Sequence, residues 1–211
     1  MAHPSEPRFL ALHGLRLKGF AEPDSIATAM GLDADQVGKE LESLADDGLV
    51  ARRDGRVSGW SLTADGRSAH ADLVAGELEA ANGRTTVEGA YRRFLEVNRE
   101  MLGVCTDWQL RDVDGHQAVN DHTDAAYDDA VVARLVAIHD RVRPVTADLR
   151  EVLERFGRYG ERLRNALEKV VAGEREWFTK PVIDSYHTVW FELHEDLLAT
   201  LGIERASEGH S

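Results

Sequence analysis

The sequence predicts a mainly α-helical chain: three short helices closed by a β-hairpin, then a longer helical bundle. Three observations carry this. Apolar residues recur at helical spacing through most of the chain. The one strong hairpin signal, Asp54-Gly55 between Leu49–Arg53 and Val57–Leu62, comes early. No apolar run approaches the length of a membrane-spanning helix.

In the first helix Leu10, Leu12, Leu15 and Leu17 are the apolar positions. The second opens at Glu22-Pro23-Asp24, carries Ile26 and Met30 one turn apart, and stops at Gly31-Leu32. The third places Val37, Leu41 and Leu44 on one face, with Asp33 set to cap its start and Gly48 free to take a left-handed conformation at its end. The two strands follow, with Gly55 expected to supply the positive φ of a tight turn. From Thr63 to Ala81 a linking helix is expected, with Ala69, Leu73, Val74 and Leu78 on one side. This order is that of a winged helix-turn-helix, the hairpin being the wing. It assigns residues 1–82 to one domain with its linking helix and residues 83–211 to a second.

Two motifs sharpen the reading. Leu62-Thr63-Ala64-Asp65-Gly66-Arg67 resembles the LTxxGR that follows the wing in MarR-like transcriptional regulators, and Leu41-Glu42-Ser43-Leu44-Ala45-Asp46-Asp47-Gly48-Leu49-Val50 resembles their LxxLxxxGLV. The resemblance covers about the first 80 residues. It implies duplex DNA as partner, with the third helix as recognition helix offering Gln36, Lys39 and Ser43, and with Arg52, Arg53 and Arg56 of the wing at phosphate or the minor groove. The charges oppose it. Through Asn82 there are 8 Lys and Arg against 14 Asp and Glu, a net −6, and Asp35, Glu40, Glu42 and Asp46 stand on the third helix, where phosphate repels them. The alternative is a protein-interaction adaptor built on the same fold.

The second domain predicts helices near Val87–Thr106, Asp124–Val142, Ala147–Phe156, Glu161–Ala172 and Val182–Leu201, with no alternating strand pattern and with loops at Asp112–Thr123, at Pro144, at Gly157–Gly160 and at Thr179–Pro181. A stripe of Tyr91, Leu95, Asn98, Leu102 and Cys105 sets an amide among apolar residues, which needs a partner if buried. The final helix has two apolar sides: Tyr186, Val189, Leu193, Leu197 and Leu201 on one, His187, Phe191, His194 and Leu198 on the other. Such a helix is either central or shared with a second copy, and a homodimer through Val189, Trp190, Phe191 and Leu193 is expected. Asn98, Asp107, Trp108, His122, His139, His187, Trp190 and His194 are the candidate lining of a small-effector cavity of roughly 300 Å³ or more. A further alternative is an enzyme or ligand carrier with Asp107, His122, Asp124, His139, His187 and His194 as acid, base or ligand groups.

The formal net charge of −13 excludes a generally basic nucleic-acid coat protein or a binder of anionic membrane surfaces. The start, Met1-Ala2-His3-Pro4-Ser5-Glu6, lacks the basic end and apolar middle of a signal peptide, so a cytoplasmic location is expected. A single cysteine, Cys105, permits no intrachain disulfide and no multi-thiolate zinc motif; on its helix face it reads as an inert buried thiol. His187 and His194, seven residues apart, stand about 10.5 Å apart along the helix axis, too far to share one ion, so no cofactor or metal is expected. The chain contains no G-x-S-x-G elbow, P-loop or G-x-G-x-x-G, so hydrolase, NTPase and dinucleotide readings lack their minimal geometry.

Overall fold

The computed structural model describes residues 1–113 and 115–205. It is mainly helical, with two small two-stranded antiparallel sheets. Three helices come first, α1 (Pro7–Lys18), α2 (Pro23–Met30) and α3 (Ala34–Asp46), followed by strands β1 (Val50–Arg53) and β2 (Gly59–Leu62) and helix α4 (Ala64–Ala80). Asp33 accepts a hydrogen bond from the Gln36 amide at 3.0 Å and so caps α3, while Gly31 and Gly48 take positive φ at the ends of α2 and α3. Val37, Leu41 and Leu44 are fully buried against Ala11, Leu12, Leu15 and Ile26.

The hairpin is wider than expected. Arg53 pairs with Gly59, so five residues, not three, form its tip; Val57 lies outside the strand and is exposed, and Gly55 is not among the residues at positive φ. Ala21 adds a bridge to the far edge, exchanging both backbone hydrogen bonds with Trp60 at 3.1 and 2.9 Å. The turn into α4 explains its own motif. Thr63 Oγ1 accepts from the Gly66 amide at 3.0 Å and donates to the Gly48 carbonyl at 2.7 Å, and a Cβ on Gly66 would stand 1.8 Å from the Leu49 carbonyl oxygen. Only glycine fits there.

Beyond Gly83 run α5 (Arg84–Gln109), the hairpin β3 (Leu110–Val113) and β4 (His116–Val119), α6 (Ala125–Val152), a 3-10 turn (Glu154–Phe156), α7 (Gly157–Val171), the short α8 (Glu176–Thr179) and α9 (Tyr186–Leu201). Three expected loops differ here, and the one at Gly157–Gly160 is the first turn of α7. The β3–β4 hairpin occupies part of the expected loop; its side chains are all half-buried or exposed, so no apolar alternation announces it. Helix α6 runs through Pro144, because the loss of one helical hydrogen bond is outweighed by Val142, Val145 and Leu149, all essentially inaccessible. The core face of α5 is Val87, Phe94, Val97, Met101, Val104 and Trp108, rotated from the expected stripe, so Leu102 is exposed and Asn98 half-buried. On α4, likewise, the inward residues are His70, Val74, Glu77 and Leu78, while Leu73 faces outward.

Helix α9 resolves its two-sided pattern in one way. Val189, Trp190, Leu193, Leu197 and Leu198 are all buried within the chain, and Phe191 alone among its large apolar side chains is exposed. The helix is central, contacting α1, α4, α5, α7 and α8. The surplus surface that argued for a dimer through α9 is therefore absent. Among the described residues no helix is long and apolar enough to cross a membrane.

Candidate nucleic-acid interface and the polar seam behind it

The outward face of α3 and the β1–β2 hairpin are the surfaces the sequence nominates. Gln36 and Lys39 are exposed on α3, as expected of contact residues, but so are Asp35, Glu42, Asp46 and Asp47. Ser43 is already engaged: its Oγ accepts from Arg8 Nη1 at 2.7 Å, and Arg8 also pairs with Asp47. In the hairpin Arg52 donates to Asp54 at 2.9 Å and lies 5.7 Å over the Trp60 ring. Arg53 and Arg56 are exposed, and no ion pair is described for either. The free cations of this surface are thus Lys39, Arg53 and Arg56.

The eight residues nominated for an effector cavity do not converge. Asn98 Oδ1 accepts from Trp190 Nε1 at 2.9 Å, and Trp190 stacks on Phe94 with ring centres 4.8 Å apart. His194 packs beside them, 5.1 Å from the Phe94 ring. His139 Nδ1 stands 3.3 Å from the Tyr186 hydroxyl, and burial holds its pKa below the ordinary value. Trp108 and His122 form a separate group near β4: Trp108 stacks on Phe178 at 4.4 Å, and His122 Nδ1 is 3.0 Å from both carboxylate oxygens of Asp128. Asn120 Nδ2 donates to the same Asp128 at 2.9 Å, and these hydrogen bonds hold that carboxyl low although burial opposes them. His122 sits at φ 60, a left-handed conformation that this network holds in place. Asp107 pairs with Arg134 at the surface, Asp124 caps α6 by accepting from the Tyr127 amide, and His187 is half-buried on its own. None of the grooves described below is lined by any of the eight. Asn98, His139 and His122 find their partners in Trp190, Tyr186 and Asp128, which is the other way to bury such groups. The Cys105 thiol, pushed up to about 12 by burial, is poorly placed to act as a thiolate.

Outside the residues nominated from the sequence lies a buried polar seam that joins α1 and α4 to α9 and the turn after α6. Arg155, in the turn after α6, donates to Glu77 of α4 at 2.8 Å, to Thr200 of α9 at 2.7 Å, and to Asp196 of α9. His13 of α1 completes the set. Its Nε2 lies 3.1 Å from Asp196 and its Nδ1 2.9 Å from Nε2 of His70 on α4. With both rings neutral one proton lies between His13 Nδ1 and His70 Nε2, and His13 Nε2 stands 3.1 Å from Asp196 and 3.2 Å from Arg155 Nη1. Burial lowers the pKa of both imidazoles, that of His70 to about 3. Burial would raise that of Asp196, yet Arg155 and His13 hold it well below the carboxylate range. The signal in the sequence was charge on apolar stripes: Asp196 between Leu193 and Leu197, His13 between Leu12 and Leu15.

A second line of ion pairs continues outward. Lys18 of α1 reaches Glu192 of α9 at 2.7 Å, and Arg162 of α7 holds Glu192 at 2.6 Å and both oxygens of Asp184 at 2.9 and 3.0 Å. Lys18, Asp184 and Glu192 line a groove of about 690 Å³ between α1–α2 and α8–α9, walled by Phe20, Trp177 and Phe191. On its rim Val182 takes φ 66 while almost fully exposed, a strained conformation for a β-branched residue.

Comparison with protein-family models, with curated proteins and with solved structures finds no match for this chain.

Proposed function

We propose that the chain is a DNA-binding transcriptional regulator whose first 82 residues form a winged helix-turn-helix. The observation that carries the reading is the succession α1, α2, α3, β1, β2 with Arg53 and Arg56 unpaired on the hairpin beside the exposed face of α3. In a duplex complex α3 would lie in the major groove with Gln36 and Lys39 toward the bases, while the hairpin arginines meet phosphate. Ser43 is a weaker candidate, because Arg8 holds its hydroxyl. The groove of about 690 Å³ between α1–α2 and α9 is where a small effector would bear directly on the DNA-binding unit. A homodimer, which a palindromic site requires, would use a surface other than α9.

Measuring duplex affinity against salt tests the reading. Arg53→Ala with Arg56→Ala should weaken binding to all sequences alike and lower the slope of log K on log salt by about one per lost contact. An unchanged slope in a folded variant removes the hairpin from the interface.

The acidic surface of α3 favours a second reading, an adaptor that binds another protein through the same face. In that case no duplex binds the wild-type chain above the nonspecific level at physiological salt.

A further inference from the structure

We propose that the hollow between α6 and α7 is a binding site for a small phosphate-bearing anion. It measures about 360 Å³ and is lined by Arg143, Thr146 and Arg150 of α6 and by Gly157, Gly160 and Arg164 of α7. Three guanidinium groups around one hollow are out of keeping with a chain whose net charge is −13.

Their carboxylate contacts are few and open to water. No ion pair or hydrogen bond is described for the Arg164 side chain, which is exposed. Arg143 approaches Asp140 only to 3.8 Å, and Arg150 approaches Glu151 to 3.3 Å, with all four side chains more than 60 % exposed. Contacts so open to water contribute little and let the arginines swing toward a stronger acceptor. Glu161 is the one carboxylate in the lining.

The helical spacing suits a ligand of several oxygens. Arg143 and Arg150 are two turns apart, about 10.5 Å along the axis, a span that two long side chains close over a phosphate group from either end. Arg164 faces them from α7. Between them the floor is kept low by Gly157 and Gly160; the Thr146 hydroxyl beside them donates its one proton to the Arg143 carbonyl at 3.0 Å, so the donors offered to an anion are those of the guanidinium groups. The hollow opens beside the first two turns of α7, where Gly157 and Gly160 stand. The volume admits a diphosphate or a phosphorylated metabolite of modest size. It lies on the segment that carries Arg155 and Arg158, so an occupant would brace the part of the chain that holds α2 and α4.

Titration calorimetry of the full chain with inorganic pyrophosphate, without DNA, tests the proposal apart from any DNA-binding role. One saturable site is expected, with Arg143→Ala and Arg164→Ala each raising Kd about tenfold or more. Arg92→Ala on α5, a charge-matched change elsewhere, should leave Kd unaltered. The proposal is overturned if no saturable binding is found, if the two lining variants bind as well as wild type, or if Arg92→Ala loses as much as they do. A duplex oligonucleotide that displaces pyrophosphate through Arg164 would assign the site to a nucleic-acid backbone and equally overturn it.

Discussion

At the scale of single residues, the seam residues His13, His70, Glu77, Arg155 and Asp196 set how the protein answers to acid and to substitution. Both imidazoles are held neutral in the fold, while in the unfolded chain each titrates near 6.5. The unfolded state therefore binds more protons below that value, and the stability contributed by the pair is complete above about pH 7 and lost as pH falls. The expected slope is about 1.4 kcal/mol per pH unit for each proton taken up, extending for His70 toward pH 3. His139 and His187, also lowered by burial, add to the fall, and Asp196, held ionised, adds its own loss below the carboxylate range. Urea denaturation between pH 7.5 and pH 4.5 checks this. His70→Gln, which can still hydrogen-bond to His13, should remove about one proton from the slope, and an unaltered slope would show that His70 is not held neutral. Arg155→Met is the severe case. It leaves Glu77 and Asp196 buried without their cation, and breaking such a pair costs about 3–5 kcal/mol.

At the scale of elements, what the sequence shows depends on whether burial is one-sided. The first three helices, the Asp33 cap and Gly48 are legible because each small helix presents one apolar face to one core. Helix α6 is legible only in pieces, since Pro144 reads as a stop and only the packing of Val142, Val145 and Leu149 overrides it. The β3–β4 hairpin is illegible because it buries nothing completely, and its closure rests on Gly115 at φ 82 with Asp112 accepting from the Gly115 amide at 2.9 Å. The candidate effector residues were chosen as polar groups on apolar faces. That criterion finds groups that need partners but does not say whether the partner is a ligand or a neighbouring helix, and Asn98 with Trp190 is the second kind. It should also have found Asp196 and Glu77, whose partners come from far along the chain. The turn into α4 offers a direct test of a motif read from sequence. Gly66→Ala drives a methyl group into the Leu49 carbonyl and must shift β1 or α4, so thermal unfolding should show a loss of about 1–3 kcal/mol. Gly76→Ala in the same helix meets open space and should be neutral or slightly stabilising, by up to about 1 kcal/mol.

At the scale of the whole molecule, the division at residues 82 and 83 falls where α4 gives way to α5, and a buried polar seam spans it. Each half has its own apolar core, one around Leu12, Leu41 and Trp60, the other around Phe94, Phe156 and Tyr186. Between them lies the Arg155 seam, which takes side chains from α1, α4 and α9 and is almost wholly shielded from water. Unfolding one half while the other keeps its seam residues shielded would leave Arg155 or Glu77 without its partner, and a buried charge without its partner costs several kcal/mol. That penalty is comparable with the stability of either half alone, so neither half should melt while the other stays folded. Calorimetry should accordingly show a single transition whose measured enthalpy equals the van't Hoff enthalpy. In Arg155→Met the seam no longer couples the cores, and the ratio of the two enthalpies should rise above one as the transition broadens or splits. Two resolved transitions in the wild-type chain would mean that the halves are coupled by less than either one's own stability, and would return the molecule to two domains on a linking helix.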